Sequence, residues 1–140
     1  LAPEPLEAEF TANYLEKALS KRQTPIKPTI MDQKIVVGVG NIYANEALFL
    51  AGISPLRPAN SLGKKIPMLI SCIHDVLNAA IKAGGSTISD FAHVSGDSGY
   101  FQHSFHVYGR AGKPCTKCGS PIISARQAGR ATFYCEKCQK

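Results

Sequence analysis

Four of the five cysteines stand as two pairs, Cys115-Thr-Lys-Cys118 and Cys135-Glu-Lys-Cys138, with sixteen residues between them. In a CxxC turn both sulfurs converge on one ion while backbone amides point back at the thiolates. Two such turns, each at the end of a hairpin, close a tetrahedron of soft donors that suits zinc. Four thiolates fill every coordination position, so the spacing predicts one structural zinc rather than a catalytic one. Two disulfides would need an oxidising compartment, and a redox CxxC seldom comes doubled. Residues 106–140 hold few large apolar groups, so metal binding is expected to supply the folding free energy of this segment. Cys72 falls on the apolar face of a helical pattern and is expected in the core. His74, His93, His103 and His106 show no ligand spacing with one another, and structural or solvent roles are expected for them.

A second chemistry is suggested by charge. Residues 1–105 hold nine Lys/Arg and nine Asp/Glu, whereas residues 106–140 hold seven basic residues (Arg110, Lys113, Lys117, Arg126, Arg130, Lys137, Lys140) against Glu136 alone. Such a tail favours a polyanion, because phosphate contacts release condensed counterions; a merely solvated basic surface is the plainer alternative. The run Val36-Val37-Gly38-Val39-Gly40-Asn41 adds a glycine-rich turn opening onto a helix N-terminus, where free N–H groups and the helix dipole suit a phosphate. Helix capping by Asn41 explains the same run without a ligand.

These groups need elements to hold them. Leu6, Phe10, Tyr14 and Ala18 recur at helical spacing and predict a helix over about 6–21. Pro28 can open a short helix over about 28–33. A helix over about 41–51 is expected to end at Gly52, and the longest, marked by Ile66 through Ile81, to stop at Gly84-Gly85. Residues 86–105 read as a loop, and short β-type runs follow at Ile122-Ile123 and Thr132-Phe133-Tyr134. The expected fold is mainly α over 1–105, with a small C-terminal β-hairpin zinc ribbon over 106–140. No apolar run approaches the roughly 18 residues of a membrane span, and the N-terminus lacks a signal-peptide pattern.

Taken in order, these segments resemble the formamidopyrimidine-DNA glycosylase family. Ile26–Asp32 and Val36–Ala44 resemble its helix-two-turns-helix module. Gly84–Thr87 through Gly99–Phe101 resembles its lesion-capping loop (about 86–104), and Val107-Tyr108-Gly109-Arg110 the approach to its zinc ribbon. Ala128–Cys135 resembles its zinc-finger hairpin. The resemblance covers essentially the whole chain. It implies that Asn41 and Arg130 grip phosphates around a flipped-out nucleotide, with Tyr43 near the same backbone and Lys27 close to the damaged nucleotide. It also makes Arg130 a candidate catalytic proton donor in δ-elimination. Two departures matter. The family's usual basic residue before the threonine of the inter-domain link is Gln23 here, which weakens one DNA contact. The family's N-terminal catalytic proline, the adjacent glutamate and a catalytic lysine have no match in the chain, so the expected inventory is the DNA-binding half of the enzyme without its nucleophile.

The implied parent is a base-excision glycosylase and AP lyase, monomeric and cytoplasmic in a bacterium. It acts on double-stranded DNA bearing an oxidised purine and works with the N-terminal catalytic domain of the same protein. Two alternatives are an endonuclease VIII-type enzyme for oxidised pyrimidines and a non-catalytic zinc-ribbon protein that binds nucleic acid. The long Gly/Ser-rich loop favours the purine enzyme.

Overall fold

A computed structural model of the chain describes residues 2–83 and 105–140. The expected lesion-capping loop, the Gly84-Gly85 stop, His93 and His103 lie outside the described residues. The element order is α1 (Ala12–Leu19), α2 (Ile26–Ile30), α3 (Asn41–Ala51), α4 (Ile66–Lys82), β1 (Ile123–Gln127) and β2 (Arg130–Tyr134), with two short 3-10 turns between α3 and α4. No helix among the described residues is long and apolar enough to cross a membrane.

Helix α1 is shorter than the sequence pattern suggests. Thr11 caps it, its hydroxyl accepting from the Tyr14 amide at 3.1 Å, and the chain before it runs as turns tied by Glu7 N to Glu4 O and Phe10 N to Glu7 O. Phe10 before the cap and Leu15 one turn inside it share the core, in the arrangement of a hydrophobic staple. The helical spacing of Leu6 and Phe10 therefore marks no helix: Phe10 is buried ahead of the cap, and Leu6 is exposed. Helix α2 begins earlier than expected, directly after Pro25. It ends earlier too, because the Asp32 carboxylate accepts the Lys34 amide at 2.9 Å and turns the chain. That bond, with the facing Arg22 guanidinium, holds the Asp32 carboxyl below its ordinary value.

Helix α3 has the expected bounds and ends at Gly52, whose φ of 71° is the left-handed cap that glycine supplies. It is the centre of the molecule. Every residue from Asn41 to Phe49 is buried. One side joins the core of α1, α2 and α4 around Ile42, Ala44, Ala47 and Leu48. Phe49 faces the other way, into a smaller cluster with Val107, Cys115, Ile122 and Cys135, and burial of such a side chain is worth about 1.5–3 kcal/mol. Cys72 lies in the larger core as expected, and burial pushes its thiol pKa up.

The hairpin is longer than its apolar residues announce, because its outer positions are polar. Strands β1 and β2 pair antiparallel from Ile123 opposite Tyr134 to Gln127 opposite Arg130. Only Ala128 and Gly129 remain for the turn, and both have positive φ (51° and 78°), as a type I′ hairpin requires. An alanine held there costs about 1 kcal/mol. The turn sets Arg130 at the first position of β2, exposed, at the tip of the ribbon.

Candidate metal centre and nucleic-acid interface

The four cysteines of the paired motifs come together. Cys115 Sγ lies 3.8 Å from Cys138 Sγ and Cys118 Sγ lies 3.5 Å from Cys135 Sγ, and all four sulfurs fall within 4.8 Å of one another. A tetrahedral zinc with Zn–S bonds of about 2.3 Å places its sulfurs about 3.8 Å apart. A disulfide would bring two of them to about 2.05 Å, so the geometry matches an ion and not a bond. Amides point at the sulfurs, from Lys117 to Cys115 at 3.3 Å and from Cys138 to Cys135 at 3.5 Å. The thiols differ among themselves. Hydrogen bonds from Ser120 bring Cys118 down to about 6, while lost solvation and the neighbouring thiols push Cys138 up to about 12. Four thiolates cannot crowd together unaided, and a divalent cation resolves the conflict. The donor set therefore fits one structural zinc.

The zinc ribbon is fastened to the end of α3. Gln139 Nε2 donates to Ile53 O at 2.9 Å while its Oε1 accepts the Cys135 amide at 2.8 Å, and the Lys140 amide donates to Gly52 O at 3.0 Å. Glu46 accepts the amides of His106, Val107 and Tyr108 at 2.7, 2.9 and 2.9 Å. A buried carboxylate is tolerable when so many donors meet it. His106 stacks on Phe49 with ring centroids 5.3 Å apart, and His74 bonds Pro5 O at 2.7 Å. Both histidines are structural in these placements.

Two of the residues implied in DNA contact, Lys27 and Asn41, meet at one backbone atom, the carbonyl oxygen of Ala131 beside Arg130, and Asn45 joins them there. Lys27 Nζ donates to it at 3.2 Å, Asn41 Nδ2 at 3.1 Å and Asn45 Nδ2 at 3.4 Å. Lys27 also donates to Thr132 Oγ1 at 3.0 Å, Thr132 passes a hydrogen bond to Gln127 Oε1 at 3.0 Å, and Gln127 Nε2 donates to Pro55 O at 3.0 Å. Both feet of the hairpin tip are thus tied to the helical module by a connected polar network. Arg130, one residue from that carbonyl, stays exposed. Among the described residues the only side-chain ion pair is Arg22 with Asp32, at 3.2 Å, so the tail's cations have no carboxylate partners there; Arg110 is half-buried and donates to the His106 and Pro114 carbonyls at 2.7 and 2.9 Å.

Asn41 does not cap α3. Gly40 is the N-cap, in extended conformation and with no side-chain bond, and Asn41 is the first helical residue. Its amide is turned to the hairpin instead, which leaves Asn41 Oδ1 as a buried polar atom without a partner among the described residues. Tyr43 is buried in the helical core, its ring closing on Gly40, where an added Cβ would sit 3.6 Å from it. Gln23 is exposed, beyond the network. Lys27 is only 1 % exposed, its aliphatic stem in the protein and its ammonium spent on the hairpin. Asn45 and Glu46 were not singled out by sequence reasoning. The available signal was their polarity inside a helix that is otherwise apolar, at positions four and five residues beyond Asn41.

Burial and the nearby Arg130 charge bring Lys27 down to about 8 from an ordinary 10.5. Since the folded state holds this proton less tightly than the unfolded chain, folding stability is greatest above the unfolded value. It is lost as pH falls from about 10.5 towards 8. At about 1.4 kcal/mol per pKa unit the cost reaches a few kcal/mol. Zinc-loaded protein should therefore gain denaturant stability between pH 8 and 10 relative to a Lys27→Met variant measured alongside. Parallel curves for the two would show that the amine is not desolvated.

Comparison with known proteins agrees with this arrangement. The formamidopyrimidine-DNA glycosylase H2TH domain family matches residues 1–92, and the zinc finger found in FPG and IleRS matches residues 112–140. Formamidopyrimidine-DNA glycosylases of Enterobacter sp. (strain 638) and Bdellovibrio bacteriovorus are 52% and 54% identical over 100% of the chain. The chain spans about half the length of these relatives, 52% of each. The crystal structure of the MutM (Fpg) protein from Thermus thermophilus superposes with a TM-score of 0.85 at 41% identity, covering 99% of the chain and 53% of that protein. The Lactococcus lactis Fpg in complex with abasic-site DNA gives 0.85 at 38% identity, covering 100% and 51%. With that family model matching well over half of its residues, the chain belongs to the formamidopyrimidine-DNA glycosylase H2TH family and carries the zinc finger found in FPG and IleRS.

Proposed function

We propose that this chain is the DNA-gripping half of a base-excision DNA glycosylase and AP lyase. The whole protein removes oxidised purines, 8-oxoguanine and formamidopyrimidines, from duplex DNA in the bacterial cytoplasm and nicks the strand by β,δ-elimination. The observation that carries this reading is the convergence of Lys27, Asn41 and Asn45 on Ala131 O, which plants an exposed arginine beside the N-terminus of α3. A planar guanidinium there grips a phosphate through two parallel hydrogen bonds, a geometry that lysine cannot reproduce. The second Nδ2 hydrogen of Asn41 and the first amides of α3 supply further donors at the same place. Arg130 is also the candidate proton donor of the δ-elimination step, a role that the family resemblance gives it and that its exposure at the hairpin tip supports. Lys27, Tyr43 and Gln23 support the interface from behind or from its rim. Zinc pins the base of the hairpin and takes no part in bond breaking. The amine nucleophile that attacks the sugar C1′ belongs to residues outside these 140. Solved relatives whose complexes hold abasic-site and FAPY-dG DNA support the choice of ligand.

The test uses the zinc-loaded chain with a fluorescent duplex carrying one 8-oxoguanine·cytosine pair. Binding should be detectable at low salt and weaken steeply as salt rises, because phosphate contacts dominate. Borohydride should trap no covalent adduct with this chain, while protein carrying the upstream half is trapped. No binding at low salt, or a trapped adduct with the chain alone, would overturn the assignment.

A further inference from the structure

Asn45 holds the hairpin in a way the other residues do not. Its carboxamide lies along β2 and pairs with it as a neighbouring strand would. Oδ1 accepts the Phe133 amide at 2.8 Å, and Nδ2 faces Ala131 O at 3.4 Å while donating to Asn41 O at 2.9 Å. The side chain is 1 % exposed, one turn beyond Asn41 on α3, and every polar atom it owns is engaged. Lys27 and Asn41 each reach β2 at the Ala131 carbonyl, and Lys27 also at the Thr132 hydroxyl; neither touches the Phe133 amide. Asn45 alone among the three grips both a donor and an acceptor of the strand edge, and so fixes the sliding position of β2 along α3. Arg130 is the residue next along that strand. A slip of the strand would carry the guanidinium with it.

Resting on the phosphate-clasp reading above, we propose that Asn45 is a positioning residue for Arg130. It touches no DNA, and it sets the register at which the hairpin arginine meets the phosphate. An amide suits this role because it presents a donor and an acceptor side by side at the spacing of a peptide edge. A carboxylate lacks the donors, and an aliphatic residue of similar size lacks both. Because Asn45 Nδ2 also bonds the Asn41 backbone, the same side chain ties the strand to the helix end at which the phosphate would dock.

The experiment is a double-mutant cycle on zinc-loaded protein, read with the duplex carrying 8-oxoguanine·cytosine. Asn45→Ala should weaken binding about fivefold, as the loss of one ordered hydrogen-bonded contact does. It should also flatten the dependence of log affinity on log salt by about one ion, as removal of a phosphate contact does. Arg130→Ala should show the same flattening, and Asn45→Ala should add nothing further in the Arg130→Ala background. A purely structural role would move thermal stability and zinc content but leave the salt slope at its wild-type value. Where Asn45→Ala loses its zinc, Asn45→Ser carries the same test, since its hydroxyl keeps one of the bonds. An Asn45 effect of equal size in both backgrounds, or an unchanged salt slope, overturns the positioning role while the clasp stands. An Arg130→Ala protein that binds like wild type overturns the clasp itself, and the positioning role with it.

Discussion

Stripping zinc with a chelator, or replacing Cys115 with serine, should abolish DNA binding while leaving much of the helical signal in place. Structural zinc contributes about 10–16 kcal/mol of apparent binding free energy in small four-ligand modules near neutral pH, far more than the hairpin's own burial supplies. Without the ion, the thiols of Cys115, Cys118, Cys135 and Cys138 repel as they ionise, and the turns that carry them have no reason to close. The helical module keeps its own core around Leu15, Ile30, Leu48 and Leu69. It also loses a cover, because Phe49 and Glu46 are buried against the ribbon. The midpoint of thermal unfolding should therefore fall for the helices as well, by several degrees. Metal analysis should return one zinc per chain, and the intact mass should correspond to five free thiols before metal is counted. A protein without zinc, or a mass two or four hydrogens short, would refute the metal assignment. A variant that lost the ribbon with no change in helical stability would show that the docking contacts carry no energy.

The second large effect is expected at the hairpin tip. Arg130→Ala should lower affinity for lesion-bearing duplex at least tenfold in protein with its upstream half present, equivalent to about 1–3 kcal/mol for a phosphate clamp. Lys140→Ala should do little, since a solvated cation is worth a few tenths of a kcal/mol; Lys140 is exposed and holds Gly52 through its backbone. Asn41→Ala should also impair binding. The double variant should lose less than the sum, because Asn41 donates to the carbonyl next to Arg130 and both act on one backbone. Anisotropy titrations of the four proteins decide the matter. Equal and small losses at Arg130 and Lys140 would mean that the tail contributes diffuse charge alone.

What the sequence could disclose followed from how local each cause is. The zinc site was legible because CxxC fixes its own turn, and two such turns need only meet. Helix α3 was legible because a glycine stands at each end. Helix α1 was misjudged because apolar residues can repeat at helical spacing without a helix: Leu6 is exposed and Phe10 is buried ahead of the cap, in a segment whose turns are set by Glu4, Glu7 and the Thr11 cap. Asn41 resembled a cap because asparagine beside glycine usually is one. Its amide instead reaches a strand ninety residues later, a partner that no local pattern announces. The same distance hides Lys27, whose bonds to Ala131 and Thr132 span more than a hundred residues. In each case the side chain's chemistry was apparent and its addressee was not.

Helix α3 has no outer face. From Asn41 to Phe49 each position is buried, some against the other helices and some against the ribbon. An ordinary amphipathic helix tolerates change in stripes, with solvent positions free to vary. Here a change that suits one neighbour is judged at once by the other, and no position in those nine offers a lenient direction. A map of tolerated substitutions would show α3 as a solid bar rather than a periodic one. The helix would be the slowest part of the molecule to alter, and new binding properties would have to arise on the elements around it.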